Sequence, residues 1–308
     1  MRTRIIIFVL LVTSFGVYSQ QDAQFTQYMY NTININPAYA GSRGCLSIFG
    51  LHRTQWVGLD GAPVTNTFNI NSPIGTSNVG LGLGIINDRI GPSNETSVSG
   101  DFSYSIPTSE TFKLSFGLKA SLNFLNIDLQ SLKQQAGDSN LKDNITNSFT
   151  PNIGAGVYWH SDATYIGLSV PNFIESKHYD KTTAGSPVSS IAKERVNIYA
   201  IAGHVFDLSE SIKFKPAVLS KIVTGAPLQV DVSGNFMFND KFVAGLAYRW
   251  SAALSAMVGF QANDSWFIGY GYDLETTKLG KYNSGSHEIF LRYELFNKYD
   301  KIVSPRFF

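Results

Sequence analysis

Cysteine is nearly absent: Cys45 is the only one in 308 residues. A single thiol forms no intrachain disulfide, and without a Cys-x-x-Cys pair there is no zinc or dithiol motif. Charge is also scarce. Asp, Glu, Lys and Arg make up 15% of the chain and sum to +1, whereas a nucleic-acid binder usually carries a basic surface. The five histidines (His52, His160, His178, His204 and His287) show no HxxxH or HxH spacing, so no metal site is expected. There is no GxSxG elbow. GLGLG at Gly80–Gly84 lacks the spacing of a dinucleotide loop; its glycines simply alternate with Leu81 and Leu83. No cofactor is expected. Long apolar runs are missing too. The longest, Ile5 to Val17, falls short of the ~20 residues that a spanning helix needs.

That short run follows MRTR and precedes Tyr18-Ser19. A basic start, an apolar stretch and a small residue are the parts of a secretory signal peptide. Residues 1–19 are therefore expected to be removed, with cleavage near Ser19/Gln20. Cys45 lies too far downstream to carry a lipid at the new N-terminus.

What the chain has in abundance is alternation. In FKLSFGLKASLNF, Phe112 to Phe124, every second side chain is apolar, and Lys113, Ser115, Gly117 and Lys119 lie between. Successive strand side chains point to opposite faces, so the segment has one oily and one polar face. It is long enough for the 9–11 tilted residues that cross a bilayer as β-structure. About fourteen such segments are legible between residues 45 and 296. They include Cys45–Val57, Thr111–Ile127, Thr150–His160, Arg195–Asp207 and His287–Phe296, the first and eighth of the series being the least regular.

The connections provide an independent argument. Outer-membrane barrels have short periplasmic turns and longer outer loops. The three longest connections, Asp128–Phe149, Pro171–Glu194 and Leu274–Ser286, are all odd-numbered, and the short ones such as Asn239-Asp240 are even. A secreted β-sandwich or propeller would explain the alternation but not this asymmetry. Unpaired backbone groups are costly in hydrocarbon, so the strands are expected to close. The expected fold is all-β: a single, monomeric transmembrane antiparallel barrel in contact with outer-membrane lipid. A non-strand segment (residues 20–44) precedes it and a tail (297–308) follows.

On these faces Asp101, Asp231, Asp273, Glu288 and Glu294 point inward, as do Lys113, Lys119, Arg249 and Arg292. A wet or plugged lumen that pairs its charges accounts for them more simply than acid–base catalysis. The Asn-, Gln- and Tyr-rich segment Gln21–Gly41, stopped by Asn36-Pro37, is expected to fold against or into the lumen or to lie at the periplasmic mouth. Gln27, Tyr28, Asn31, Asn36 and Tyr39 are its candidate contacts, and Arg53 and Gln55 their candidate partners on the wall. The long outer loops Asp128–Phe149 and Pro171–Glu194 are candidate recognition surfaces.

Several motifs, in order, resemble the PorP/SprF family of Bacteroidetes outer-membrane proteins of the type IX secretion system and gliding motility. They are QYMYNTININPAYAG (Gln27–Gly41), HRTQWVGLDGAP (His52–Pro63), IGPS (Ile90–Ser93), GLSVPN (Gly167–Asn172), FKPAVLSK (Phe214–Lys221), GYGYD (Gly269–Asp273) and SHEIFLRY (Ser286–Tyr293). The resemblance implies a non-enzymatic accessory that supports export or surface retention of cargo such as gliding adhesins. The implied partners are a cargo C-terminal domain and periplasmic ring or peptidoglycan-anchoring proteins, with no nucleic acid. A channel for small or hydrophobic solutes is the alternative, and a lipid hydrolase with a serine and histidine converging on the lipid face is a third.

Overall fold

The computed structural model describes residues 25–26, 28–131, 144–175 and 195–296; the expected signal peptide and C-terminal tail lie outside them. The alternating segments form fifteen stretches, β1 to β15, each antiparallel to its neighbours. The sheet runs in chain order from β1 (Leu46–Thr54) and returns through β15 (Ser286–Leu295), which pairs back onto β1 from Leu46↔Leu295 to Thr54↔His287. All interior strands have two neighbours, so the sheet is a closed barrel. β8 (Asn197–His204) and β9 (Phe206–Ser209) both pair with β10 (Ile212–Val223) and form one stave. The barrel therefore has fourteen staves.

Alternation sets which side faces lipid. In β5 (Lys113–Ile127) the residues from Ser115 to Asn123 alternate buried and exposed. Leu118 is 62% exposed, whereas Lys119 beside it is buried. The same holds in β12 (Phe242–Arg249), where Leu246 and Tyr248 face out and Ala247 and Arg249 face in. Aromatic rings pair near the periplasmic rim, Phe112 stacked on Trp159 at 4.2 Å and Trp266 tilted against Tyr293 at 4.7 Å. That is the girdle position of outer-membrane barrels.

Four expectations need correction. The first strand ends at Thr54, not Val57. Trp56 takes a left-handed backbone (φ 45°), and Gln55 N–H donates to Pro63 O at 2.9 Å, which closes the first outer connection. The eighth strand breaks at Val205, where the facing residue region of β10 contains Pro216, which has no N–H to donate to the ladder. The sixth strand starts at Ile145, five residues early, and pairs with β5 as far as Ile127↔Ile145. The fifth connection is shorter accordingly. Lys113 has inward parity but sits at the periplasmic end of β5 and is exposed, so it is a rim residue and not a lumen charge.

Strand lengths are uneven. β4 (Ser93–Pro107), β5 and β6 (Ile145–His160) have 15, 15 and 16 residues, but β7 (Thr164–Val170) has 7. One flank therefore rises above the rest on the outer side. Past Val170 the chain follows the taller neighbour for a few residues, with Phe173 N–H donating to Ile153 O at 2.8 Å.

Candidate functional site

The lumen is occupied by the chain's own N-terminal segment. Phe25 and Thr26 lie in the outer half. A 3-10 turn (Tyr28–Tyr30), one helical turn α1 (Thr32–Ile35) and a second 3-10 turn (Pro37–Tyr39) then carry the chain to the periplasmic mouth. Every residue of these turns is buried. Short turns suit a chain that must make its own hydrogen bonds in a narrow space. Asn36 ends α1 and starts the next turn: its side chain accepts from Ala38 N–H at 3.0 Å and donates to Val157 O on the wall at 3.0 Å. Pro37 sits at the first position of that turn, where a missing N–H is harmless.

The wall makes room with glycine. Those of the GLGLG stretch point inward, and an added Cβ at Gly80 would run into Ala40 O, one at Gly82 into Ile33. At Gly117 it would meet the backbone of Ala38, and at Gly156 the Asn36 amide. Polar wall residues complete the contacts. Asn69 donates to Asn31 Oδ1 at 2.9 Å, Ser103 to Ala40 O at 2.7 Å, and Ser169 to Ile35 O at 2.6 Å. Gly41 N–H donates to Asn71 Oδ1 at 3.1 Å. Rings fill the remaining space: Tyr30 stacks on Phe267 at 5.4 Å, and Tyr39 meets Tyr158 edge-on at 5.6 Å. Burial pushes the Tyr28 and Tyr30 phenols well above their ordinary value and keeps them protonated.

Charged groups fix the two ends. In the outer half, Arg53 Nη2 is 2.7 Å from Asp273 Oδ2 and Nη1 is 3.4 Å from Glu288 Oε2. Thr26 joins this cluster. It donates from Oγ1 to Asp273 at 2.9 Å and from N–H to Glu288 at 2.8 Å, and accepts from Arg53 Nη1. Arg249 pairs with Asp231 at 3.0 Å and donates to Phe25 O at 2.9 Å. Lys119 and Asp101 pair at 3.2 Å on the β4–β5 wall. At the periplasmic mouth Arg43, just after the plug, pairs with Glu294.

The structure thus brings together Tyr28, Asn31, Asn36, Tyr39 and Arg53 in one lumenal assembly, with Asp231, Arg249 and Glu288 holding its outer end. Gln27 lies outside the described residues. Gln55 is not part of the assembly; it has passed the end of β1 and lines a small outer cleft with Trp56 and Arg89. That first outer connection is tied to the thirteenth, the link from β14 (Trp266–Glu275) to β15, by Trp56 Nε1 donating to Glu275 at 3.2 Å and Val57 N–H to Gly285 O at 2.9 Å. Most of the two long loops named as recognition surfaces lies outside the described residues. Sequence reasoning missed Thr26, Arg43 and Lys215. For Lys215, on β10, the signal was masked because Leu219 and Ala217 share its inward face and blur the alternation.

The type IX secretion system membrane protein PorP/SprF family model matches residues 17–293. The chain belongs to the PorP/SprF family. The charged residues of the outer-half cluster fall in the family-like motifs, Arg53 in the His52–Pro63 stretch, Asp273 in GYGYD and Glu288 in SHEIFLRY. Among curated proteins no sequence matches. Among solved structures the CymD monoaromatic hydrocarbon channel is similar at TM-score 0.50 and 12% identity, over 92% of this chain and 96% of that one. Omp33, an Acinetobacter baumannii outer membrane protein, gives 0.47 and 8% over 82% and 98%. The Pseudomonas putida toluene transporter TodX gives 0.49 and 9% over 91% and 96%. At such identity the likeness concerns the fold. This PorP/SprF protein is a closed β-barrel and a membrane component of type IX secretion.

Proposed function

We propose that this PorP/SprF barrel is a plugged, non-catalytic accessory of the secretion apparatus that supports export or surface retention of cargo proteins such as gliding adhesins. The observation that carries this reading is the filled lumen. Residues 28–41 contact the wall through glycine-lined close approaches and hydrogen bonds from Asn69, Asn71, Ser103 and Ser169. A passage for folded cargo or solute needs an open bore, and this one is packed with the chain's own backbone. The useful surfaces are then the two rims. The outer rim is stiffened by the tie between the first and thirteenth connections, and the periplasmic rim is where a ring or peptidoglycan-anchoring protein would dock.

Family membership supports a place in secretion, and the plug weighs against the alternative of a solute channel. The test is genetic and electrical. Deleting the gene should leave one class of secreted protein in the periplasm or released from the cell, and purified barrel in planar bilayers should conduct negligibly. Steady ohmic conductance by the intact protein, together with normal cargo display in the deletion strain, would reject the proposal in favour of a channel.

A further inference from the structure

The lipid-facing side of the barrel changes character over one row of residues. Phe68 on β2 (Val64–Pro73) pairs with Ile85 on β3 (Val79–Ile90), and Ile85 with Val98 on β4; all three are exposed. The next row towards the outer side is polar. Asn66, Asn87 and Thr96 pair in the same order, and Asn87 donates to Thr96 Oγ1 at 2.9 Å. On the outside of a barrel, the end of the apolar band marks the end of the hydrocarbon. One row further out, Arg89 lies between Val64 and Asn94 and is exposed.

Arg89 lines the outer cleft together with Gln55, Trp56, Gly58, Asp60 and Gly61. The cleft measures about 350 Å³, within the ~300–1,000 Å³ of small-molecule sites. The loop around it is fixed by its own bonds. Gln55 N–H donates to Pro63 O and Gly91 N–H to Gly61 O, both at 2.9 Å, while Trp56 and Val57 are bound to the thirteenth connection. Several polar groups are left over. Among the described residues, the side chains of Gln55, Asp60 and Arg89 and the N–H groups of Gly58, Asp60 and Gly61 make no hydrogen bond or ion pair within the protein. Arg89 and the amides only donate, Asp60 only accepts, and Gln55 does both. A bare phosphate only accepts and meets the Asp60 carboxylate with like charge. An ammonium group only donates and meets Arg89 with like charge. A neutral sugar ring carries several hydroxyls, each both donor and acceptor, and has no charge for either residue to reject.

We propose that this cleft binds the sugar headgroup of an outer-leaflet glycolipid, whose hydroxyls accept from Arg89 and the loop amides and donate to Asp60 and Gln55. The apolar-to-polar step puts the cleft at the level where headgroups lie, which favours a lipid-borne sugar over a sugar on a secreted protein. The bound lipid fastens the first outer connection to the membrane surface, and the thirteenth with it through Trp56 and Val57. This site depends on the barrel's orientation in the outer membrane and not on its role in cargo display.

The probe is lipopolysaccharide extracted from the organism's own outer membrane, with phosphatidylethanolamine as the control lipid. Native mass spectrometry of the intact barrel in mild detergent should show one tightly retained lipopolysaccharide. The lipid-free oligosaccharide cleaved from it should displace it, and phosphatidylethanolamine should not. Arg89→Ala and Asp60→Ala should each weaken retention roughly ten-fold. Lys241→Ala, an exposed residue in a periplasmic turn, should leave retention unchanged. Folding of each variant is checked separately by heat-modifiable gel mobility. Four results would overturn the proposal: displacement by phosphatidylethanolamine as readily as by the oligosaccharide, retention undiminished in a folded Arg89→Ala barrel, no displacement by the oligosaccharide because the acyl chains alone hold the lipid, or a peptide segment of a secreted protein in the cleft in place of a sugar.

Discussion

Arg53 on β1 and Asp273 on β14 meet at 2.7 Å across the intervening strand β15, and Thr26 of the plug is bonded to both. This wall contact is therefore also the plug's outer anchor. Strand pairing places the two charges side by side, and the N-terminal segment completes their coordination. Removing Arg53 breaks its buried pairs with both Asp273 and Glu288, and breaking one such pair typically costs ~3–5 kcal/mol.

Arg53→Ala should accordingly destabilise the barrel by about 3–5 kcal/mol and free the outer end of the plug. Thermal melting in detergent reads the first effect, and bilayer conductance the second, rising from near zero. Arg53→Ala combined with Asp273→Ala should recover part of the stability, since the double change leaves fewer unpaired buried charges. Conductance that stays negligible in a folded Arg53→Ala barrel would mean that the outer anchor does not hold the plug in place.

Gly117→Val tests the close approach at the other end. Its side chain would occupy the space of the Ala38 backbone, so the plug must shift while the strand itself gains a β-favouring residue. Proteolysis within residues 28–41 should accelerate many-fold in the intact barrel. Gly100→Ala is the control. Gly100 lies one strand over on the lipid side, its added Cβ would meet only Leu83 at 4.0 Å, and protease resistance should be unchanged.

Asn36→Ala removes a turn cap and a plug-to-wall hydrogen bond together. A lost cap of this kind typically costs about 1–2 kcal/mol. The loss should appear in the melting temperature with little change in strand content by circular dichroism.

The two faces of β5 predict opposite responses to charge. Leu118→Arg places a cation in lipid and should cost ~2–4 kcal/mol if the site is near the bilayer midplane. Lys119→Leu instead strands Asp101, whose partner is lost from 3.2 Å; Asp101→Asn should relieve that defect. Folding titrations into lipid vesicles distinguish these outcomes.

Burial, followed by the nearby Glu294 carboxylate, pushes the Cys45 thiol up to about 11. The reactive thiolate is then sparse at neutral pH and grows only as pH rises towards that value. Maleimide labelling of folded protein at pH 7 should be slow, should speed up steeply above pH 9, and should become fast at pH 7 once the barrel is unfolded in urea. Rapid labelling of the native protein at pH 7 would place Cys45 outside the protected rim.

Much of the architecture was legible before any coordinates. Period-two alternation alone puts Leu118 in lipid and Lys119 inside, because neighbouring strand side chains have no choice but opposite faces. The same rule places Asp101, Asp231, Arg249, Glu288 and Arg292 in the lumen. It failed at strand ends, as with Gln55 and Lys113, since parity says which way a side chain points but not how far along the barrel it lies. It failed also on β10, where apolar residues share the inward face with Lys215 because the plug, and not water, lies opposite.

The sequence by itself determined a closed, lipid-facing cylinder with a polar inside, and a polar lead-in suited to that inside. Those are consequences of local periodicity and of the need to pair every backbone amide in hydrocarbon. Only the tertiary structure decided which charges meet. Thr26 and Asp273 are separated by 247 residues in the chain, and no local pattern encodes a contact that exists only once the sheet has curled shut around its own N-terminal segment.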